Sequence, residues 1–455
     1  MAGTRKSPRS RAAAADLPAL VRSALQRHVP PGSRVAVGLS GGIDSVVLLD
    51  VLSRLAPRAG IVLSAVHVNH QLSPHAADWS RFCRTLCAGL GVPLRVARVN
   101  VARRASREDA AREARYRAYG RTPADFIALA HHGDDQAETL LLQLLRGAGV
   151  RGLAGMPEAR PLAGARGGSR TLLRPLLAAG RRDIEAYARS RGLDWIEDES
   201  NRDVAHGRNF LRHEVLPLLE TRYPAARRAL ARSAGHLGEA ASLLDGLAAR
   251  DAAGAGRDGT LEVAALGKLP AARARGVLRE FIARAGERAP PARRLEEILR
   301  QVLEARSDAR VCVALGGADL RRHAGTLHLV PRRRAVPPTF EVLWRGERDL
   351  RLAELGGVLR MTPARGQGIS LAKLGAGPVR VRLRRGGERL QPEAGRPRRT
   401  LKYLWQEQGV PVWLRSSRPH IYCGESLVGV PGLGIDCAFQ ARPGEPGVIP
   451  EWIAR

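Results

Sequence analysis

Aromatic residues, cysteines and lysines are all scarce in this sequence of 455 residues. No apolar run approaches the roughly 18 residues of a membrane-spanning helix, which excludes that class of protein. The five cysteines are too few for a disulfide framework and predict a reducing, cytoplasmic location. Cys83 and Cys87 stand four apart in a helical pattern, without a second pair or nearby histidines. We interpret them as buried thiols rather than metal ligands.

Acidic residues are also in deficit, with 44 Asp and Glu against 74 Lys and Arg and a net charge of +30. Only four of these basic residues are lysines, which leaves 70 arginines. The arginine bias reflects genome composition as much as chemistry. Self-repulsion on this scale nevertheless predicts a polyanionic partner, and nucleic acid is the first candidate.

The length predicts two or three domains, and the apolar content of 44% is typical of globular proteins. Residues 1–15 are basic and lack acids, and we expect a flexible arm there. We expect an α/β domain over residues 16–218, a mostly helical domain over 219–335 and a small α+β domain over 336–455. In the last two domains the sequence predicts a hairpin over 311–330, a linker over 331–338, a strand over 379–383 and an amphipathic segment over 399–408.

Apolar strands alternate with helical patterns through the first domain, which predicts a doubly wound, Rossmann-like parallel sheet. The predicted strands cover residues 34–39, 61–69, 94–99, 125–130 and 172–177, and the helices between and after them cover 45–55, 74–90, 108–119, 134–146 and 181–191. A further helix is expected to start at Asp16. Ligands of such sheets bind beyond the carboxyl ends of the strands. Residues 40–45 and 131–138 both follow strands, so we expect them to share one site.

The segment Ser40-Gly41-Gly42-Ile43-Asp44-Ser45 joins a buried strand to a helix. Its glycines let the backbone N–H groups approach an anion, and Ser40 and Ser45 add hydroxyl groups. A Walker A loop has lysine before its last serine, whereas this loop has Asp44. An acid beside phosphate predicts a bridging Mg²⁺ ion. The loop resembles that of the N-type ATP pyrophosphatases, which cleave ATP between its α and β phosphates.

A second polar segment follows the fourth predicted strand and runs His131-His132-Gly133-Asp134-Asp135-Gln136-Ala137-Glu138-Thr139. One acid is enough to cap a helix, and this segment has two aspartates, a glutamate and two histidines. Asp134 and Glu138 are four apart and share a helical face. The excess of ionisable groups predicts a functional cluster.

Further motifs stand in a fixed order along the chain. They are Val68-Asn69-His70, Glu108 with Ala111-Arg112 and Arg115-Tyr116, Arg146-Gly147 to Gly155-Met156, Arg174-Pro175-Leu176, Asp194-Trp195, Glu197-Asp198, Ser200-Asn201 and Arg208-Asn209 with Arg212. With the two segments above, they make most of the chain similar to the tRNA(Ile)-lysidine synthases. The resemblance implies a carbon–nitrogen ligase that uses ATP to adenylate the wobble cytidine of tRNA(Ile), which has a CAU anticodon. L-Lysine then joins C2 of the cytidine, giving lysidine, AMP and pyrophosphate.

The last domain resembles the tRNA-binding terminal domain of that family, over Arg382–Arg389 and Leu401–Leu404. Two positions depart from the family pattern. Glu388 stands where aspartate is usual, and Tyr403 stands where a second lysine is frequent.

The resemblance and the charges imply roles for the acids and histidines. Residues Ser40–Ser45 are expected to bind the triphosphate of ATP, and Asp44 to hold Mg²⁺. Asp135 and Glu138 are expected to bind the cationic groups of lysine and to orient its amine. His131 and His132 are expected to stabilise phosphate charge or to relay protons.

Two arginine pairs are the candidate substrate contacts. Arg112 and Arg115 lie three apart on one predicted helix, and are expected to contact the α-phosphate or the tRNA. A solvated charged face is the alternative for that pair. Arg208 and Arg212 share a helical face and are expected to meet RNA phosphate or the adenylate.

Three other functions compete with this one. A tRNA thiolase with the same loop usually needs reactive cysteines near the site, and the strand ends carry none. An amidotransferase needs a glutaminase segment, which is absent. An RNA-binding module without catalysis has no need of Asp44, Asp135 and Glu138 together. The sequence leaves the oligomeric state open, a dimer included.

Overall fold

A computed structural model describes residues 15–71, 73–100, 107–163, 169–197, 199, 203–204, 207–256, 259–306, 309, 311–332 and 336–454. The predicted basic arm lies outside these residues except for Ala15, and so do Asp198, Ser200 and Asn201 of the family motifs. The chain divides into two compact units, one up to Leu244 and one from Asp245. The finer predicted domain limits, at residues 218 and 335, remain predictions.

The first unit alternates strands with helices. Its elements are α1 (Leu17–His28), β1 (Arg34–Gly38), α2 (Ile43–Ala59), β2 (Val62–Asn69), α3 (Ala76–Gly89), β3 (Leu94–Arg98), α4 (Arg107–Gly120), β4 (Phe126–Ala128), α5 (Gly133–Leu145), α6 (Val150–Leu153), β5 (Ala159–Ala163), β6 (Ser169–Leu173), α7 (Arg181–Ser190), α8 (Gly207–Phe210), a π-helical turn (Leu211–Val215), α9 (Leu216–Arg222) and α10 (Ala226–Gly254), which continues past residue 244. Asp16 caps α1 as predicted, since its carboxylate accepts a hydrogen bond from the Ala19 N–H at 3.1 Å.

The sheet of the first unit has the strand order β3-β2-β1-β4-β6-β5. Its first five strands are parallel, which confirms the predicted doubly wound arrangement. The edge strand β5 pairs antiparallel with β6 and was not predicted. Its sequence, Ala-Arg-Pro-Leu-Ala, lacks a strand pattern, and Pro161 is tolerated because it lies on an edge strand.

Apolar side chains cover both faces of this sheet, as a parallel sheet requires. One face packs against α1, α2, α3 and α7 through the largest cluster of buried residues, which includes Leu48, Leu52 and Ile184. The other face contacts α4 through Tyr119. The strand ends between these two layers are left for polar residues, and the site lies there.

The second unit combines helices with small antiparallel sheets. Its elements are β7 (Thr260–Glu262), α11 (Val263–Gly267), α12 (Ala271–Arg284), α13 (Ala292–Glu304), β8 (Cys312–Leu315), β9 (Ala318–His323), β10 (Thr326–Pro331), β11 (Glu341–Trp344), β12 (Asp349–Leu352), β13 (Gly357–Arg365), β14 (Ile369–Ser370), α14 (Leu371–Leu374), β15 (Val379–Arg382), β16 (Arg389–Leu390), β17 (Arg399–Thr400), α15 (Leu401–Glu407), α16 (Val412–Arg415), β18 (His420–Cys423), β19 (Ser426–Val430), β20 (Gly434–Ile435) and β21 (Pro446–Ala454).

The predicted hairpin over residues 311–330 is a three-stranded meander, β8-β9-β10, extended by β7. Two tight turns divide it, and only the first, at Gly316-Gly317, was marked by paired glycines. Of the predicted linker, Pro331 belongs to β10 and residues 333–335 lie outside the described part of the chain. No helix in the described ranges has the length and apolar content to cross a membrane.

Candidate active site

The glycine loop connects β1 to α2 and is shaped by its last serine. Ser45 Oγ accepts hydrogen bonds from the backbone N–H groups of Ser40 at 3.1 Å and Gly41 at 3.2 Å, and donates to the Gly42 carbonyl at 2.9 Å. Ser40 Oγ lies 3.0 Å from Ser45 Oγ. The N-terminus of α2 has no side-chain cap, so its first N–H groups remain available to an anion.

Gly41 is the position in this loop that requires glycine. Its φ of +94° lies in the region that L side chains rarely adopt, and a Cβ there would stand 2.7 Å from Ile196 Cδ1. The Gly41 carbonyl accepts a hydrogen bond from the Ile196 N–H at 2.9 Å. The segment after α7 therefore fixes the loop from one side.

Asp44 lies in the first turn of α2 and is held by a residue from α7. One nitrogen of Arg181, Nη1, lies 2.7 Å from each carboxylate oxygen of Asp44. His132 Nε2 is 3.7 Å from the same carboxylate. Burial raises the pKa of Asp44 more than the charges of His132 and Arg181 lower it, and the negative charge of Asp135 adds to the rise. The carboxylate therefore stands where a further positive charge would be stabilised.

The acid-rich segment forms the start of α5, as predicted. The Asp135 carboxylate accepts a hydrogen bond from the backbone N–H of His132 at 3.0 Å and so caps the helix. His132 Nε2 lies 3.6 Å from Asp135 and 3.7 Å from Asp44. The one ring thus brings the carboxylates that follow β1 and β4 into a single cluster, although they are 91 positions apart in the sequence.

Glu138 is fully buried one turn further along α5, and two arginines neutralise it. Arg208 Nε and Arg212 Nε each donate to one of its carboxylate oxygens at 2.6 Å. The same two arginines reach Asp135 Oδ1, at 3.0 Å and 3.3 Å. Burial raises the pKa of Asp135, but His132, Arg208 and His131 outweigh it and lower that pKa to about 2. Asp135 is therefore ionised at neutral pH, and both carboxyl groups lie in a site closed by guanidinium groups.

The helix that carries these arginines is locally widened. Arg212 lies in the π-helical turn Leu211–Val215, between α8 and α9. Such turns are rare and occur frequently at functional sites, because they displace side chains from the regular helical spacing. Here Arg208 and Arg212 both reach Glu138, the contact that closes the site.

His131 lies three residues beyond the end of β4 and has no ion pair among the described residues. Its Nδ1 is buried without a hydrogen-bond partner among the described residues. Burial lowers the pKa of His131 to about 4, against the opposing charge of Asp135 and with smaller contributions from nearby arginines. The ring is therefore neutral at pH 7, and one buried nitrogen is available to accept or donate a proton.

Arg112 and Arg115 do not join the carboxylates. Arg115 Nε lies 3.4 Å from His70 Nε2, and the guanidinium of Arg112 lies over the Tyr116 ring, 5.1 Å from its centroid. Both are exposed residues of α4. Within the described residues neither has an acidic partner, so they present positive charge beside the strand ends.

Sequence reasoning did not single out Arg181 and Arg227 for the site. Arg227 Nη1 lies 3.3 Å from Asp134 Oδ2, and the backbone N–H of Arg181 donates to Asp134 Oδ1 at 3.0 Å. One signal was available for Arg181. A cation in the first turn of a helix is disfavoured by the helix dipole, so its presence at the start of α7 pointed to an acidic partner.

Cys83 and Cys87 are free, buried thiols beneath the phosphate loop, as predicted. Burial raises the pKa of Cys83 to about 12, with a contribution from Cys87, and raises the pKa of Cys87 to about 11. Thiols with such pKa values supply almost no thiolate nucleophile at neutral pH. The site therefore lacks the reactive cysteine chemistry expected of a thiolase.

The C-terminal region exposes basic and aromatic residues on α15 and the strand before it. Arg399 lies over the ring of Tyr403 at 4.9 Å, and Tyr403 is 47% exposed. Glu388 accepts hydrogen bonds from its own loop at the Gly386 N–H, 2.9 Å and 3.0 Å away. Arg382, by contrast, is buried and paired with Glu341 at 2.7 Å. Of the motif residues, Arg382 supports the sheet and Tyr403 faces solvent, as does the neighbouring Arg399.

Comparisons with known proteins cover nearly the whole chain. Residues 17–219 match the PP-loop domain, residues 261–328 the TilS substrate binding domain, and residues 379–452 the TilS substrate C-terminal domain. The tRNA(Ile)-lysidine synthase of Nitrosomonas europaea is 45% identical over 94% of this chain and 93% of its own. That of Methylococcus capsulatus is 42% identical over 93% of this chain and 97% of its own, and that of an Azoarcus species is 43% identical over 93% of each. Because the likeness extends through all three matched domains, the chain belongs to the tRNA(Ile)-lysidine synthase family.

Proposed function

We propose that the cluster at the strand ends is where this ligase adenylates a tRNA cytidine with ATP and then joins lysine to it. The observation that carries the proposal is the meeting of Asp44, from the phosphate loop, with Asp135 across His132. A nucleotide site and a site for a cationic substrate thereby adjoin. The two half-reactions need that arrangement, since the adenylate made in the first is consumed in the second.

The loop residues Ser40–Ser45 bind the triphosphate of ATP. The uncapped N-terminus of α2 directs N–H groups at the phosphates, and the helix dipole adds roughly 0.3–1 kcal/mol of attraction. The cytidine O2 atom attacks the α-phosphorus, the bond to the β-phosphate oxygen breaks, and pyrophosphate leaves with that electron pair. The C2 centre is then joined to a good leaving group, AMP.

Asp44 fits a Mg²⁺ site shared with the nucleotide. Its pKa is raised by burial and by Asp135, so an added cation would stabilise the ionised form. Mg²⁺ is usually held by one or two carboxylates together with substrate phosphates, and a single protein carboxylate here is compatible with that pattern. In the structure, Arg181 is the cation paired with this carboxylate. The ion would supply charge neutralisation at the phosphates, and Asp44 would orient it.

Asp135 and Glu138 form the site for the cationic groups of lysine. They are buried, and in the structure their charges are met by Arg208 and Arg212. The guanidinium groups of Arg208 and Arg212 lie 2.6–3.3 Å from these carboxylates, where an ammonium group of the lysine substrate would bind. We infer that the two arginines turn toward the adenylate or the RNA phosphates when both substrates bind.

His131 is the candidate group for removing a proton from the lysine amine. A free lysine amine has a pKa near ~10.4, so it must lose a proton before it attacks C2. The neutral ring of His131 presents an unpartnered nitrogen beside the acids. The amine then attacks C2, AMP leaves with the C–O electron pair, and lysidine results.

Two assays test the proposed function together. Pyrophosphate release from ATP should require the tRNA, and nucleosides from the treated tRNA should contain a cytidine joined to lysine by mass analysis. Omitting lysine should remove the joined product. Pyrophosphate release with tRNA but no lysine-containing nucleoside would reject the lysidine assignment. The same experiment with tRNA lacking the CAU anticodon tests the choice of tRNA(Ile). We place the reaction in the cytoplasm, where tRNA is found and the five free thiols stay reduced.

A further inference from the structure

Three arginines from different elements converge on the side chain of Tyr116, beside the acidic cluster. The guanidinium carbons of Arg112, on α4, and Arg160, on β5, each lie 5.1 Å from the ring centroid. Arg174, which follows β6, is the third. Burial by itself raises the pKa of Tyr116, but the three positive charges outweigh it and the pKa is lowered. Tyr116 therefore lies in a region of net positive charge.

Arg174 is the innermost of the three and is only 2% exposed. Its Nη1 donates to the Pro157 carbonyl at 2.6 Å, whereas its Nε is buried without a hydrogen-bond partner. The Nε of Arg160 is also buried without a partner. Arg112 is exposed, so the three donors form a series from solvent to the interior. Among the described residues, therefore, the two inner arginines each keep one Nε donor without a hydrogen-bond partner.

No carboxylate neutralises this group. Among the described residues Arg112, Arg160 and Arg174 have no ion pair, and the nearby Glu158 is bonded to Arg27 at 2.7 Å and His28 at 2.8 Å. Burial lowers the pKa of Arg174, and Arg160 and Arg112 lower it further against the opposing effect of Tyr116. Buried, unpaired charges are costly to a fold unless a ligand supplies the opposite charge.

The position of the group separates it from the phosphate loop. The loop follows β1, and in the sheet β4 lies between β1 and β6, the strand that leads to Arg174. Two strand spacings are roughly 10 Å. His131 is close to both the arginines and Asp135, since the charges of Asp135, Arg174 and Arg112 all act on its pKa. An anion here would stand beside the acidic cluster and away from phosphates bound at α2.

We propose that Arg112, Arg160 and Arg174 form a phosphate pocket that binds a phosphodiester of the tRNA next to the reacting cytidine. Planar guanidinium groups bind phosphate oxygens with paired hydrogen bonds, and the two unused Nε donors are suited to that geometry. A backbone contact of this kind positions the nucleotide without reading its sequence. The inference rests on the proposed function, because it assumes that the polyanion is tRNA.

The test compares tRNA binding and ATP use in two variants, Arg160→Gln and Arg174→Lys. Each should weaken tRNA binding roughly tenfold, as expected for one lost charge-assisted contact. Arg160→Gln should also reduce the slope of log affinity against log salt by up to about 0.9. The KM for ATP should stay at the wild-type value in both. Arg174→Lys keeps the positive charge but removes the planar guanidinium group and its paired donors. Its salt slope should therefore change less than that of Arg160→Gln.

Arg117→Gln is the matched control. Arg117 lies on α4 with Arg112, but it is paired with Glu113 at 3.0 Å. It should leave affinity and salt slope unchanged. Thermal unfolding separates binding from folding: Arg160→Gln should have a Tm equal to or above that of the wild type, since like charges repel. A lower Tm with unchanged tRNA binding would show a structural role and overturn the proposal.

A raised KM for ATP with unchanged tRNA affinity would assign the pocket to nucleotide phosphate instead, and would also overturn the proposal. Unchanged values for both ligands would show that the pocket binds neither. These outcomes are distinct from failure of the proposed function, which is seen when the wild-type protein forms no lysine-containing nucleoside. The salt slope still reports on the pocket in that case.

Discussion

Arg181 donates from a single nitrogen to both carboxylate oxygens of Asp44, at 2.7 Å each. The two residues are 137 positions apart and come from the starts of α7 and α2. The pair brings two helix N-termini together at the phosphate loop. Arg181 neutralises the carboxylate. Under the proposed function, a Mg²⁺ ion bound with ATP would compete with Arg181 for Asp44.

The first prediction concerns the carboxylate of Asp44. Asp44→Asn should reduce tRNA-dependent pyrophosphate release by two to three orders of magnitude, because metal-ion charge neutralisation is worth several kcal/mol in the transition state. The affinity for tRNA should stay near the wild-type value. Asp16→Asn, which preserves the cap of α1, is the control. Loss of tRNA binding without loss of pyrophosphate release would contradict a metal role.

The second prediction concerns Arg181, the ion-pair partner of Asp44. Arg181→Gln removes the competing cation, so half-maximal pyrophosphate release should require several-fold less Mg²⁺ than in the wild type. The assay is best done near pH 8, because loss of Arg181 also raises the pKa of Asp44 and favours its protonation at lower pH. A Mg²⁺ titration of both proteins measures the shift. An unchanged or higher requirement would mean that Arg181 does not compete for the ion.

Much of the site could be predicted from local sequence. The loop Ser40–Ser45 and the segment His131–Thr139 each occupy a strand end, and a parallel sheet places such ends at one edge. The shared helical face of Asp134 and Glu138 follows from their four-residue spacing alone. These inferences need only the period of each element and the chemistry of its residues.

The partners of those residues were beyond local reasoning. Arg208 and Arg212 were predicted to contact the substrate, and that stays a prediction, but their pairing with Glu138 joins positions at least 70 apart. Arg181 and Asp44 are still further apart. The sequence shows which residues are charged. Which of them form ion pairs depends on how α5, α7 and α8 pack together. The edge strand β5 was missed for a related reason, since pairing with β6 compensates for its unfavourable sequence.

The third prediction concerns lysine. Glu138→Gln should raise the KM for lysine roughly tenfold or more, since a buried carboxylate that meets an ammonium group is lost. The same change leaves Arg208 and Arg212 to share the single carboxylate of Asp135 and should lower the free energy of unfolding by up to about 3–5 kcal/mol. Steady-state kinetics and denaturant unfolding measure the two effects.

Glu113→Gln is the control for this variant, because Glu113 is an exposed acid that pairs with Arg117. It should change neither quantity by much. An unchanged KM for lysine in Glu138→Gln, with a fall only in kcat, would remove Glu138 from the lysine site.

The fourth prediction concerns the net charge of +30. Affinity for tRNA should fall with salt, with a log–log slope of about −0.7 to −0.9 for each phosphate neutralised. Binding titrations at several KCl concentrations measure it, with sucrose at equal osmolality as the control for solvent effects. A flat response would contradict a polyanionic partner.

The last prediction is a pH dependence of stability in the C-terminal region. His420 is fully buried edge-on to Trp405, with its ring centroid 5.7 Å away, and its Nδ1 lies 3.0 Å from the Arg418 carbonyl oxygen. Burial lowers the pKa of His420 from 6.5 to about 4. Between these values the unfolded chain binds a proton that the folded chain does not. Folding stability is therefore complete above about pH 6.5 and falls as the pH drops toward 4.

For His420 alone the loss should be on the order of 3 kcal/mol across that window, before residual structure in the unfolded chain is considered. Denaturant unfolding at pH 7, 5.5 and 4 should show the fall in the wild type and a shallower fall in His420→Gln. His75→Gln is the control, because His75 is an exposed histidine whose side chain is 53% accessible. His131 and His70, whose pKa values burial also lowers to about 4, keep part of the slope in the His420 variant. Equal slopes in wild type and His420→Gln would show that His420 takes up its proton equally in the folded and unfolded chain, and would contradict the lowered pKa.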